Sequence, residues 1–186
     1  MTKIQLKPHT ALCPVPAVMV SCSSTDGKPN IITIAWAGTV CSAPPMLAIA
    51  VRPIRYSYEL IASSGEFVVN IPSESLTQAM DYCGMVSGRD HDKFADCGLT
   101  AVPSSQLKCA PLIAECPINL ECIVEKELEL GSHSLFVARI VAVQVDASLV
   151  NEQQLIDHSL ARPVAYAGSS YYGLGEYLGR FGFSRK

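Results

Sequence analysis

The 186-residue sequence lacks most of the signatures that announce nucleotide, metal or hydrolytic chemistry. It has no GxGxxG and no GxxxxGK[ST], so neither a Rossmann turn nor a P-loop is indicated. GxSxG and HExxH are also missing, which excludes a nucleophile elbow and a helical zinc-protease site. Eight cysteines are present, at 13, 22, 41, 83, 97, 109, 116 and 122, yet no CxxC occurs. Zinc sites usually carry a close cysteine pair, so no metal is expected. Apolar runs are broken by proline, glycine or charge before the roughly 18 residues a membrane helix needs. There is no basic tract and no RNP-like aromatic pattern, and the formal net charge is −3, so nucleic acid is not an expected partner. The N-terminus MTKIQLKPHTALCPVP has no apolar h-region; no signal peptide is expected and the cytoplasm is the default compartment. Disulfides are not expected there, and the cysteines read as buried thiols.

Hydrophobic residues make up 49% of the chain and mean hydropathy is +0.26. The length suits a single domain over residues 1–186 that buries a real core. With no membrane span to use the apolar excess, a subunit interface is the natural place for it, and a homodimer is expected.

The pattern along the chain is that of short strands joined by turns. Residues 17–23 read as a strand, followed by the turn cluster 25–29 and a β-branched strand over 30–37. Pro44-Pro45 ends the next connection, and 46–51 is a short apolar strand. Residues 56–63 read as a helix closed by Gly65, and 67–71 as another apolar strand. Ser73 or Ser75 is placed to cap a helix running to Cys83, with Gly84 behind it. Residues 87–98 are a loop or a broken helix, and 100–111 look irregular. Over 120–130, Leu120, Cys122, Val124, Leu128 and Leu130 alternate with Glu121, Glu125, Glu127 and Glu129, the pattern of a half-solvated strand with an acidic face. A turn at 131–134 leads to 135–145, apolar on both faces and therefore a central strand of the sheet. Residues 151–159 read as a helix, and the aromatic, glycine-rich stretch 163–186 closes the chain. Many strands with few helices argue for a barrel or sandwich.

Three stretches could carry a ligand. Thr33, Ile34, Ala35 and Trp36 offer small and hydroxyl side chains beside the one tryptophan, against which a flat ring could lie; from composition alone, an ordinary core strand with a buried Trp is the favoured reading. Arg52, Arg55, Ser57 and Tyr58 lead into a helix, whose N-terminus and arginines suit a phosphate; a solvated loop of charges is the alternative. In Arg89-Asp90-His91-Asp92-Lys93-Phe94, Lys93 could reach an anion or the charges could pair locally. His133 sits in a hairpin turn with no neighbour suggesting a catalytic triad.

Taken in order, the fragments Thr33-Ile34-Ala35-Trp36, Pro44-Pro45, Arg55-Tyr56-Ser57, Gly65-Glu66-Phe67-Val68-Val69-Asn70-Ile71, Asp92-Lys93-Phe94, Gly131-Ser132-His133 and Tyr172-Gly173-Leu174-Gly175 resemble the flavin reductase-like family, flavoredoxin-type members included. The resemblance implies a mainly β, six-stranded Greek-key split barrel with flanking helices, homodimeric, with one FMN per subunit. It implies that Thr33 to Trp36 line the isoalloxazine and that Cys41 stands near it. Arg52, Arg55, Ser57 and Tyr58 would hold the phosphate end, Asn70 and Ile71 would lie under the flavin, and Lys93 would help at the phosphate. His133 would stand near the ring or the nicotinamide, although Ser132 occupies the place where the pattern often has Asp. The implied activity is flavin reduction by NADH or NADPH, with flavoredoxin-like electron transfer to or from a protein partner as the alternative. The flavin then carries the chemistry, and no catalytic side chain is expected.

Overall fold

The computed structural model describes residues 1–25 and 27–185. In chain order the elements are β1 (Val15–Pro16), β2 (Val18–Cys22), β3 (Asn30–Ile34), β4 (Ala37–Ser42), β5 (Pro45–Val51), α1 (Tyr56–Ser64), β6 (Glu66–Ile71), α2 (Thr77–Met85), α3 (Lys93–Cys97), β7 (Ala101–Val102), β8 (Leu112–Ile113), β9 (Ile118–Glu129), β10 (Ser134–Val145), β11 (Val164–Ala167) and β12 (Ser170–Gly173). Short 3₁₀ turns occupy Glu74–Leu76 and Ala147–Leu149.

The main sheet has seven strands in the order β3-β2-β6-β9-β10-β5-β4. Every neighbouring pair is antiparallel. Its outermost strands, β3 and β4, are separated in the chain only by Ala35 and Trp36. Three peptide units reach about 10 Å at most, so the two edges of the sheet must lie close together. The sheet therefore curls into an antiparallel half-barrel, with the Ala35-Trp36 link at its seam. The Ala50 amide donates to the Trp36 carbonyl at 2.9 Å and fixes this seam to β5. A smaller sheet, β1-β11-β12, joins the two chain ends near it.

Alternation along β2 divides the core in two. Val18, Val20 and Cys22 point into the barrel with Ile49, Leu60, Phe67 and Phe136. Ala17 and Met19 point outward into a second cluster with Ile31, Met80, Phe94 and Ile113, which packs α2 and α3 against the β2–β3 edge. β2 is buried on both faces throughout.

Several local expectations change. The strand expected over 30–37 ends at Ile34, and its continuation, β4, is an additional edge strand whose small and polar residues carry little strand signal. The helix expected from Ser73 or Ser75 begins properly at Thr77 and runs through Gly84 to Met85. Residues 87–98 contain the short α3, started by the Asp92 side chain accepting from the Ala95 amide and stopped by Gly98 in the left-handed region (φ 63°). No helix forms over 151–159; Asn151 and Asp157 instead accept amides two and four residues ahead and make turns. Glu121 is not on a solvated face: it is fully buried. It accepts the Ser105 and Gln106 amides, and Glu66 likewise accepts those of Lys108, Cys109 and Ala110. Two buried carboxylates thus satisfy the irregular segment 104–110. No described helix is long and apolar enough to cross a membrane.

Candidate functional site

The seam of the half-barrel opens into a cleft of about 540 Å³. Its floor is the end of β3 and the seam link, Thr33, Ile34, Ala35 and Trp36. Ala50, Val51 and Arg52 at the end of β5 form one wall, with His133 from the β9–β10 turn; Asp81, Gly84 and Met85 of α2 form the other. The chain ends close the cleft through residues 10–13 and through Tyr166 and Tyr171 of the small sheet. α2 stays close to the floor because the Thr33 hydroxyl donates to the Met80 carbonyl. A side chain on Gly84 would press on Thr33, with a Cβ only 3.2 Å from that of Thr33.

A second pocket of about 120 Å³ adjoins the cleft. The two share Ile32, Arg55 and Gly84, so they form one continuous depression. The small pocket lies at the N-terminus of α1, where Arg55 is the capping residue and no side chain satisfies the first-turn amides. Those amides carry positive potential. Asn30 donates to the Ser57 hydroxyl at 2.8 Å across the pocket. Arg55, Arg89 and Lys93 line it, and no carboxylate does. Arg89 is held by an ion pair with Glu59 and lies over the Tyr56 ring, 5.2 Å from its centroid. Lys93 is 4% exposed and donates to the carbonyls of Ile31 and Cys83 at 2.7 and 2.8 Å. Burial pushes its pKa below the ordinary lysine value. Among the described residues, Arg52, Arg55 and Lys93 make no ion pair. A pocket built from an open helix end, two arginines, a buried lysine and a serine has the donor set for a phosphate.

At the other end, the His133 ring sits on Trp36 with centroids 4.6 Å apart. The Ser132 hydroxyl lies 2.9 Å from its Nδ1. Burial, and then the charge of Arg52, lower the pKa of His133.

Thr33, Ile34, Ala35, Trp36, Arg52 and His133 therefore meet in the cleft, Ser57 and Lys93 in the small pocket, and Arg55 where they join. Arg52 stands beside His133 rather than at the cationic end where it was expected. Four expected residues line neither pocket. Cys41 is on edge strand β4, opposite Met46. Tyr58 packs on Phe136 and donates to Glu127 at 2.8 Å. Asn70 is fully buried, bonded to the Met19 carbonyl, Ser21, the Ile113 amide and Asn119. Ile71 packs into the core beside Leu120. The sequence reading gave no site role to Asn30, Ser87 or Gly88, and looked to Lys93 rather than Arg89 in the stretch 89–94. The Ser87-Gly88-Arg89 run before a capped helix was the available signal for the loop residues; the β-branched strand Asn30–Ile34 carried none for Asn30.

The seam cleft and the cationic pocket thus make one continuous depression along the edge of a split half-barrel. Residues 10–175 match the model of the flavin reductase like domain, and the chain belongs to that family. The structure is similar to a flavoredoxin of Desulfovibrio vulgaris (Miyazaki F), with a TM-score of 0.91, 36% identity and 99% of each chain covered. In sequence it is 40% identical over 116 residues to a protein of Archaeoglobus fulgidus, a match covering 62% of this chain and 65% of that protein, slightly under two thirds of its length. It is 29% identical over 127 residues to the reductase component of a 4-nitrophenol 4-monooxygenase/4-nitrocatechol 2-monooxygenase of Rhodococcus opacus, covering 68% of this chain and 64% of that protein.

Proposed function

We propose that this chain binds FMN and works as a flavoredoxin-like electron-transfer protein. The observation that carries the reading is the continuity of the cleft with the cationic pocket through Ile32, Arg55 and Gly84. The isoalloxazine would lie on Thr33 to Trp36, and the ribityl phosphate would take the α1 amides, Arg55, Ser57 and Lys93. Family membership supports a flavin, and the flavoredoxin likeness supports the carrier role. FMN, when bound, supplies the capacity to accept and return electrons. The protein's residues bind, orient and shield it. Trp36 and His133 cover one end of the cleft, and Lys93 and Arg55 balance the tail's negative charge. Exposed apolar side chains at Tyr177, Leu178 and Phe181 suit cover by a second copy, in keeping with the expected homodimer.

A second reading, reduction of the flavin by NADH or NADPH, is favoured by the likeness to a monooxygenase reductase component and by Trp36, which leaves 45% of its surface exposed at the cleft. The deciding experiment is anaerobic absorbance of the FMN-loaded protein. Bleaching of the flavin band by a reduced low-potential protein donor, but not by NADH or NADPH alone, is expected for the carrier. Rapid bleaching by a nicotinamide alone replaces it with the reductase. Failure to retain FMN on desalting removes the carrier reading.

A further inference from the structure

Cys83 near the end of α2 and Cys97 at the end of α3 face each other with their sulfurs 4.0 Å apart. Cys83 is fully buried and lines the cationic pocket; Cys97 is partly exposed. The thirteen residues between them, 84–96, carry Gly84, Val86, Ser87, Gly88, Arg89 and Lys93, which form a whole wall of that pocket. Arg89, on Glu59 and the Ile54 carbonyl, and the Tyr82 hydroxyl, on His91 and Asp96, tie the wall at the surface; inside, the Lys93 ammonium holds the Cys83 and Ile31 carbonyls and Phe94 is buried.

We infer that Cys83 and Cys97 form a reversible dithiol–disulfide site whose closure pins this wall and slows release of the ligand held behind it. The co-reactant is a small disulfide, RSSR. The Cys97 thiol, the one solvent reaches, loses its proton to water and attacks RSSR. The S–S bond breaks, one RS⁻ leaves and takes a proton, and Cys97–S–SR remains. Cys83, its proton also passed to solvent, attacks the Cys97 sulfur and expels the second RSH. Two protein thiols are oxidised and one RSSR is reduced to two RSH. Burial pushes the Cys83 thiol up to about 12 and also raises that of Cys97, while the Lys93 charge draws both down. Lys93 therefore favours the thiolates, and closure is slow at neutral pH and faster in alkali. A bridge across thirteen residues removes freedom from the segment whenever it opens.

The effect on flavin release rests on the FMN reading above; the bridge itself does not. FMN-loaded wild type and Cys97→Ser are incubated with 2-hydroxyethyl disulfide at pH 8.5, freed of reagent, alkylated and mapped by mass spectrometry. The expected result is loss of two thiols from wild type and a Cys83–Cys97 linked peptide, reversed by dithiothreitol. Flavin release, followed as fluorescence after dilution, is expected to be several-fold slower in the oxidised form and unchanged by treatment in Cys97→Ser. A mixed disulfide that stays open at Cys97, bridges between other cysteines, or eight intact thiols overturn the site. A mapped bridge with an unaltered release rate overturns the pinning role. If neither form retains FMN, the pinning role fails with the flavin reading, and the bridge stands or falls on the peptide map of the same samples.

Discussion

Asn30, at the start of β3, donates through Nδ2 to the hydroxyl of Ser57 in the first turn of α1 at 2.8 Å. Both residues are almost fully buried, and the bond ties the strand under the cleft to the helix end that faces the cationic pocket. Gly88 lies directly against the same asparagine, and a Cβ there would overlap its side-chain carbonyl.

Gly88→Ala should therefore act through Asn30. The added methyl group must displace an amide that is fixed by Ser57, or push the 86–89 backbone outward. Overpacking of this kind costs about 1–3 kcal/mol. A lower melting temperature together with weaker FMN binding is expected. If Gly88→Ala binds FMN as the wild type does, the loop does not press on the pocket.

Arg55→Ala tests the charged end more directly. Arg55 is exposed and has no ion-pair partner among the described residues, so the protein itself gives up little with it. A lost charge-assisted hydrogen bond is worth about 1.5–3 kcal/mol, roughly a tenfold to hundredfold rise in Kd for FMN. The melting temperature of the apoprotein should not move. Titration with riboflavin, which lacks the phosphate, should show no comparable difference between variant and wild type; an equal loss for both ligands would assign Arg55 to the ring instead.

Arg52 and His133 make a second electrostatic pair. Burial lowers the imidazole pKa first, and the guanidinium adds to it. Arg52→Gln should raise the pKa of His133 while leaving it below the ordinary value of 6.5, as followed by NMR of the ring protons. An unchanged titration would mean that burial alone sets it.

The elements with dense β-branched or apolar runs were legible in the sequence. β2, β5, β6 and β10 fell where the pattern put them, and α1 ended at Gly65, left-handed at φ 71°. β4 was not legible, because Ala37-Gly38-Thr39-Val40-Cys41-Ser42 is an exposed edge held by pairing to β5 alone. α3 has five residues and is defined by Asp92 and Gly98 at its ends, too short for any periodicity. In the site, Ser57 and Tyr58 were expected together, but consecutive helical residues point about 100° apart, and only Ser57 faces the pocket. Asn70 was expected at the ligand; β2 separates its strand β6 from β3, so it serves the interior instead. Burial of Glu121 depends on amides from residues 105 and 106, which alternation along one strand does not reveal.

That carboxylate gives the pH dependence its sign. Burial alone would raise the pKa of Glu121, but the amides of Ser105 and Gln106, the Ser105 hydroxyl and Gln144 outweigh it and hold the group below its ordinary value of 4.5. Glu115, which accepts the Thr100 amide, is lowered against its own burial in the same way. A carboxylate whose folded pKa is depressed binds protons more readily in the unfolded chain, so its stabilisation is complete above the ordinary value and is lost as pH falls through the depressed one. Stability should accordingly be level near neutrality and fall below about pH 4.5. Glu121→Gln puts an NH2 group among N–H and O–H donors and removes the charge that all of them address. A loss of about 2–3 kcal/mol at pH 7 is expected, measured by urea unfolding. At pH 3.5, where the unfolded chain takes up a proton that the folded carboxylate resists, the gap between the two proteins should narrow. An equal gap at both pH values would mean that shape, and not the ionised carboxylate, holds the 104–110 segment on the barrel.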